Sequence, residues 1–448
     1  MKKNSYNAKL RLSKFRLKLE LPLFLLLALA IHTSRRNIYD AFRLLQVNKM
    51  MCRLLTEHCK VAKLVEQLTL RTKDVRKSLS IVSSLVEDPL ATYLRGYIYT
   101  LYTIGSTLDY NEKWIANSIE NLEIAIKEKL NFTATFVEAL IVVATLLALS
   151  FTLLGTMNNS MIILLIPAFL FIMLVLAYRI RVGLLELQNS SRSRFIAALV
   201  ESLILLTALY LFLAKLVNAV AIFLASFALI MSIGYVYLYF NRIVELQALG
   251  DLMYKFSEQA RILGHIKLFE AKDLLVDKKF SKLFKYIAYA VKTGRLLEEG
   301  GKASIMATFT AYIFANMMRS GTYVVRVLDK MAEFFKKLYE LERYIIMRFI
   351  IYELVMMVGG LVNGLTIKAL TSLGMALSSV DTMLQFFANI NVVVVYAVLL
   401  AALWLGSYTI AVMLLDVPIS IATPLTLLVY MILLGTTNSS TFNLFLSL

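Results

Sequence analysis

The side chains best equipped for chemistry are few. Histidine occurs three times, at His32, His58 and His265, and cysteine twice, at Cys52 and Cys59. His58 beside Cys59, with Cys52 one heptad earlier, offers three potential ligands, whereas a structural zinc site takes four at defined spacing. The seven-residue interval puts the cysteines on one helical face and predicts two small buried apolar side chains. The stretch Glu299-Gly300-Gly301-Lys302-Ala303-Ser304 carries a Gly-Lys pair. A phosphate-binding loop also needs a glycine five residues before that pair and Ser or Thr directly after the lysine. Leu296 and Ala303 hold those positions, so a linker between helices is expected. Three carboxylates, Glu138, Glu201 and Glu353, lie within apolar runs. Charge buried in hydrocarbon is costly and often functional. These glutamates are expected to reach the interface or pair with basic residues such as Arg194 and Arg348. The alternative is a substrate or proton path, which would make the chain a polytopic membrane transporter. Neither a catalytic set, a metal site nor a cofactor site emerges, and the chain is expected not to be an enzyme.

The elements that must position these residues follow from composition. The chain has 448 residues, 59% apolar and only 17% charged, with a mean hydropathy of +0.71. A soluble domain is closer to 45–50% apolar and about 25% charged, and disorder requires low hydrophobicity. An integral membrane protein with substantial water-exposed parts remains. Seven segments approach the ~20 apolar residues needed to cross a bilayer: 132–155, 161–178, 195–214, 216–240, 344–365, 391–415 and 419–434. The last is the shortest and contains Pro424. The run Leu21–Ile31 is too short to span and is expected to be a buried helix of a soluble domain.

Net charge is +17, and its placement is informative. Of the 47 Lys and Arg, all but Lys215 and Lys368 fall in 1–131, 179–194 and 241–349. Four spans, a large domain and three further spans put those regions on one side, the cytoplasm by the positive-inside tendency. The N-terminus is then cytoplasmic and the C-terminus extracellular. Four parts are expected: a cytoplasmic helical domain (1–131), four transmembrane helices (132–240), a second cytoplasmic helical domain (241–343), and three transmembrane helices (344–448) with an outer amphipathic segment at 366–390.

Both charged regions have helical periodicity, as at Ile38, Ala41, Phe42 and Leu45 and at Ile115, Ile119, Leu122 and Ile126. They also resemble each other. Ile38-Tyr39-Asp40-Ala41 lies over Leu268-Phe269-Glu270-Ala271, and Tyr97-Ile98 over Tyr312-Ile313. In each copy a turn, Gly105-Ser106 or Ser320-Gly321, precedes a charged helix that runs directly into a span. Internal similarity of this kind marks a duplicated unit.

The residues Leu21-Pro22-Leu23-Phe24-Leu25-Leu26 and Ile38-Tyr39-Asp40-Ala41-Phe42-Arg43-Leu44-Leu45, after a basic N-terminus, resemble the opening helical hairpin of the type II secretion F domain. The segment from Arg319-Ser320-Gly321 through Arg326, Lys330, Ala332 and Glu333 to Phe334 resembles that domain's small-residue turn and following helix. Two such domains, separated by four spans and followed by three, are similar to the archaeal membrane platform proteins of type IV pili and archaella. Two departures stand in the first copy: Ser34-Arg35-Arg36 at the early turn, and the absence of an Ala-Glu pair in the helix Asp109–Lys129.

What the resemblance implies is a scaffold in the cytoplasmic membrane that lacks catalytic residues and cofactors. Its partners would be a hexameric secretion ATPase on the cytoplasmic side, pilin or archaellin subunits in the membrane, and a second copy in a homodimer. Arg35, Arg36, Asp40, Arg319, Ser320, Gly321, Arg326, Lys330, Glu333 and Lys337 are the expected docking positions. Arg326, Lys330 and Lys337 recur along one side of a helix, which suits a solvated face or an acidic partner. The basic arm with Lys9, Arg11, Lys14, Arg16 and Lys18 suits anionic lipid, and nucleic acid is not expected.

Overall fold

The computed structural model describes residues 12–33, 36–154, 218–263, 305–318, 324–377, 392–415 and 419–435, with short helical pieces within 200–208 and at 287–289. Among the described residues every regular element is an α-helix. The chain divides into two compact units, one made of Met1–Ile126 with Arg242–Glu342, the other of Lys127–Asn241 with Arg343–Leu448. The two charged segments of sequence therefore belong to one unit.

In the first unit, α1 (Lys14–His32) opens with charged residues and is apolar on all sides from Leu21 to Ile31, as a segment enclosed by neighbours must be. Leu21–Ile31 is buried along its full length, and α1 packs against α2 (Ile38–Val47), α4 (Thr56–Thr72) and α9 (Ile305–Met318). Helix α2 opens with a capping box. The Asn37 side chain accepts from the Tyr39 and Asp40 amides, and the Asp40 carboxylate accepts from the Asn37 amide at 3.2 Å. Its face Ile38, Ala41, Phe42 and Leu45 is buried, with the Phe42 ring 4.7 Å from that of Phe24 on α1.

Helix α3 (Lys49–Leu54) ends two residues before α4 begins, and this break changes the reading of the cysteines. On one continuous helix, residues seven apart would be separated by about 10.5 Å. Instead the Cα atoms of Cys52 and Cys59 lie 5.2 Å apart and the two are joined as a disulfide, not buried as separate apolar side chains.

Helix α4 has no cap from its own flank, since Leu55 precedes it. The cap comes from α1. The buried Glu20 carboxylate accepts from the Glu57 and His58 amides, at 2.9 and 3.1 Å, and from Thr56 Oγ1 at 2.9 Å. His58 Nδ1 lies 3.1 Å from the same carboxylate, with its ring stacked on Phe24. Helices α5 (Val75–Leu85) and α6 (Leu90–Thr103) pack in series after α4. Gly105 then takes φ +78°, a conformation that favours glycine, and turns the chain into α7 (Leu108–Leu154).

A cluster of tyrosines ties these elements together. Tyr93 donates to Asn111 at 2.7 Å, Tyr110 donates to the Tyr93 carbonyl at 2.9 Å, and Tyr97 accepts from the Ile38 amide at 3.3 Å. Any Cβ at Gly96 would collide with the Tyr110 hydroxyl, so α6 and α7 approach as closely as they do only with glycine there.

Helices α8 (Asn218–Leu263) and α10 (Val324–Leu377) are long. Within them, Ile222–Ile262 and Val325–Thr366 are long and apolar enough to cross a membrane. Most residues of their apolar stretches are not buried, and Phe223, Ile230, Tyr237, Ile351, Leu354 and Val362 are exposed. The apolar segments at 392–415 (α11, Val392–Leu415) and 422–435 (α12, Ala422–Gly435) are helical as well. The first part of the segment 366–390, expected as an outer amphipathic segment, continues α10 to Leu377, and 378–390 lie outside the described residues. The expected span 161–178, the loop 179–194 with Arg194, and the stretch 299–304 lie outside the described residues.

Burial lowers the His32 pKa from 6.5 to about 4, although a backbone hydrogen bond at Arg36 and the charge of Asp40 oppose it. Its neutral form is the folded form. The unfolded chain binds the proton first as pH falls, so this contribution is complete above pH ~6.5 and is lost on the way down to pH ~4. It amounts to roughly 3 kcal/mol at most. Thermal unfolding followed between pH 7 and 4 should show a steep loss of stability that His32→Leu flattens; equal slopes for both proteins would contradict this account.

Candidate functional site

The described residue pairs with unusual chemistry converge at the start of α12, within the second unit. Glu353 is on α10, Ser407 on α11 and Ser232 on α8, and Glu201 lies in the helical piece near 200–208. All four side chains are buried. Glu353 Oε2 accepts from the Ile421 and Ala422 amides, both at 2.9 Å, and its Oε1 accepts from the Ser407 hydroxyl. Glu201 Oε1 accepts from the Ser420 amide at 3.1 Å. Ser232 Oγ sits 2.7 Å from that oxygen and 2.9 Å from the Ser420 carbonyl, so its one proton can serve either. Glu201 Oε2 has no hydrogen-bond partner among the described residues. Ser420 completes the turn, its hydroxyl donating to Thr423 Oγ1 at 2.7 Å and accepting from the Thr423 amide at 3.2 Å.

The arrangement has a plain physical cause. The first amides of a helix lack intrahelical acceptors, and the helix dipole favours negative charge there. Non-helical backbone among apolar helices is tolerated only where protein satisfies its polar groups. Residues 419–421 are such backbone, and two carboxylates from other helices satisfy them. Pro424 falls in the first turn of α12, where its missing N–H costs nothing. The described part of α12 is roughly 21 Å long at 1.5 Å per residue.

Two glycines set α12 close to α10. A Cβ at Gly360 would lie 2.7 Å from Leu403 Cδ1 and 3.2 Å from Thr426 Cγ2, and one at Gly364 would strike the Tyr430 ring. The Tyr430 hydroxyl donates to the Gly360 carbonyl. Small residues four apart are the usual means by which apolar helices approach closely.

Of the basic residues expected to pair with these glutamates, Arg194 lies outside the described residues, and Arg348 is seen with tyrosines. Arg348 donates to the Tyr344 hydroxyl at 2.7 Å and to that of Tyr352 at 3.5 Å, while Glu353 takes a serine and two amides. Glu138 on α7 is exposed.

The expected docking positions lie in the first unit, and the structure places several of them in ion pairs. Arg326 reaches Asp109 and Glu112, at 3.2 and 3.4 Å; Lys337 reaches Glu123 and Glu340, at 3.5 and 3.4 Å; Lys330 reaches Glu333 at 2.7 Å. Glu123 and Glu340 hold the Lys337 pKa above its ordinary value. An acidic surface facing this stripe is therefore present on α7 of the same chain. Asp40 serves the α2 cap and Arg36 is exposed. Arg35, Arg319, Ser320 and Gly321 lie outside the described residues. Sequence reasoning did not find Glu20, Ser232, Ser407 or Ser420; the one available signal was Glu20, a carboxylate directly abutting an eleven-residue apolar run.

Compared with known proteins, the chain matches no family model, no curated sequence and no solved structure. Among the described residues, the fold and site are those of an all-helical protein with two helices long and apolar enough to cross a membrane and a buried, carboxylate-capped helix start.

Substitutions at Glu353 and at Gly364 test this site by thermal unfolding in detergent. Glu353→Ala leaves two amides unpaired and should cost about 2–4 kcal/mol, whereas Glu353→Gln keeps an acceptor and should cost less than half as much. Gly364→Ala should destabilise by about 1–3 kcal/mol through overlap with Tyr430. Adding Tyr430→Leu should recover part of that loss, a non-additivity that independent sites would lack.

Proposed function

We propose that this chain is a non-catalytic platform in the cytoplasmic membrane for assembly of a type IV pilus-like filament. It couples a hexameric cytoplasmic secretion ATPase to the insertion of pilin or archaellin subunits. The observation that carries this reading is the pair of helices α7 and α10. Each runs unbroken from a charged part assigned to the first compact unit into an apolar part assigned to the second. A continuous helix transmits displacement where a flexible loop would absorb it. The residue resemblance at 21–26, 38–45 and 319–334 supports the same reading.

In this arrangement the first unit is cytoplasmic and seven segments span the membrane. The N-terminal basic arm rests on anionic lipid, and two copies form the working assembly. The extracellular side receives the C-terminus. A transporter that uses intramembrane glutamates is the competing reading. Glu353 argues against it: its carboxylate is fully engaged in holding the start of α12.

Inserting three or four glycines between Tyr339 and Arg343 should break the mechanical link while leaving the first unit able to bind the ATPase. The expected result is normal ATPase pull-down with filament number reduced at least tenfold by electron microscopy. Wild-type filament numbers in that variant would remove the coupling mechanism. Solute flux in vesicles, abolished by Glu353→Gln, would favour the transporter.

A further inference from the structure

One end of the first unit carries a concentration of exposed apolar and basic groups that nothing above uses. Leu70 is 74% exposed, Tyr99 70%, Tyr102 63% and Ile104 73%. Helix α4 packs on α5 and α5 on α6, so the end of α4, the start of α5 and the end of α6 meet at one end of the bundle. The Arg76 guanidinium lies 5.1 Å from the centre of the Tyr102 ring and fixes that meeting in space. Single exposed apolar residues are ordinary, but several gathered at one end and rimmed by cations have the composition of an interface.

The chain also keeps a charge here against local preference. Lys73 closes α4 in the left-handed conformation, φ 54°, where glycine would be free of strain. The nearby Asp74 carboxylate is turned onto the Arg76 and Lys77 amides as the cap of α5. The exposed side chains of Lys73 and Arg76 are thus left to set the sign of this end.

We propose that this end, formed by Leu70, Lys73, Arg76, Tyr99, Tyr102 and Ile104, is the docking surface for an acidic face of a soluble protein. It rests on the function proposed above, in which that protein is the secretion ATPase. Charge complementarity selects an acidic partner and sets its orientation, and the tyrosines and aliphatics supply area that is buried on contact. Anionic lipid has matching charge chemistry but offers no counterpart for two exposed tyrosines, one of them held beside Arg76, and the test below separates the two.

The test uses the full chain in nanodiscs of neutral lipid, with the purified secretion ATPase as probe. Lys73→Glu with Arg76→Glu, and separately Tyr99→Ser with Ile104→Ser, should each weaken ATPase binding at least tenfold. Wild-type binding should weaken as salt rises. Ile262→Ser, an exposed position on α8, should leave binding unchanged. All variants replace exposed side chains, and an unaltered unfolding temperature verifies that they fold. If wild type binds and both tip variants bind equally well, this surface is wrong while the platform reading stands. If wild type does not bind the ATPase, both fall. Binding to vesicles with about one quarter phosphatidylglycerol that Lys73→Glu with Arg76→Glu removes, with ATPase binding intact, would reassign the surface to lipid.

Discussion

A buried carboxylate and an uncapped helix start are each unfavourable when left alone, and this protein repeatedly places one on the other. Glu20 of α1 accepts from the first amides of α4, and Glu353 of α10 accepts from the first amides of α12. A side chain leaving water must recover its lost hydrogen bonds from protein, and a helix start offers several donors within one turn. The consequence reaches beyond local stability. Each carboxylate can be satisfied in only one register of its helix against its neighbour, so the pairing specifies where α4 and α12 begin and which helices they begin against. The tight passage of Gly360 and Gly364 against α11 and α12 then follows from that register.

The first unit adds a constraint of a different kind. Its basic stripe on α10 meets acidic residues on α7 more than two hundred positions earlier, as in the pair Arg326 and Asp109. Helix α9 likewise packs on α1, and Tyr312 donates to the Leu44 carbonyl at 3.4 Å. Segments that are separate in sequence are therefore interdependent in structure. These ion pairs are partly exposed, so their contribution lies more in alignment than in free energy.

How much of this was legible in the sequence depended on range. The periodic faces of α2 and α7 could be read because their burial is a property of one helix: Ile38, Ala41, Phe42 and Leu45, and Ile115, Ile119, Leu122 and Ile126, are all buried. The run Leu21–Ile31 was legible for the same reason, being apolar on every side and short. The disulfide was not, because neither glycine nor proline marks the break between α3 and α4, and an unbroken helix keeps Cys52 and Cys59 apart. The partners of Glu353 were equally hidden. They lie 54, 68 and 69 residues away, and two of the three are backbone amides that no side-chain pattern reports.

The length of α10 carries a consequence of its own. Its 54 residues make a rod of roughly 80 Å. If one end is held, a tilt of about 5° displaces the other by roughly 7 Å, more than one helical pitch, by simple leverage over that rise. Angular motions too small to disturb side-chain packing at the fulcrum are thereby converted into travel on the scale of a whole turn at the tip.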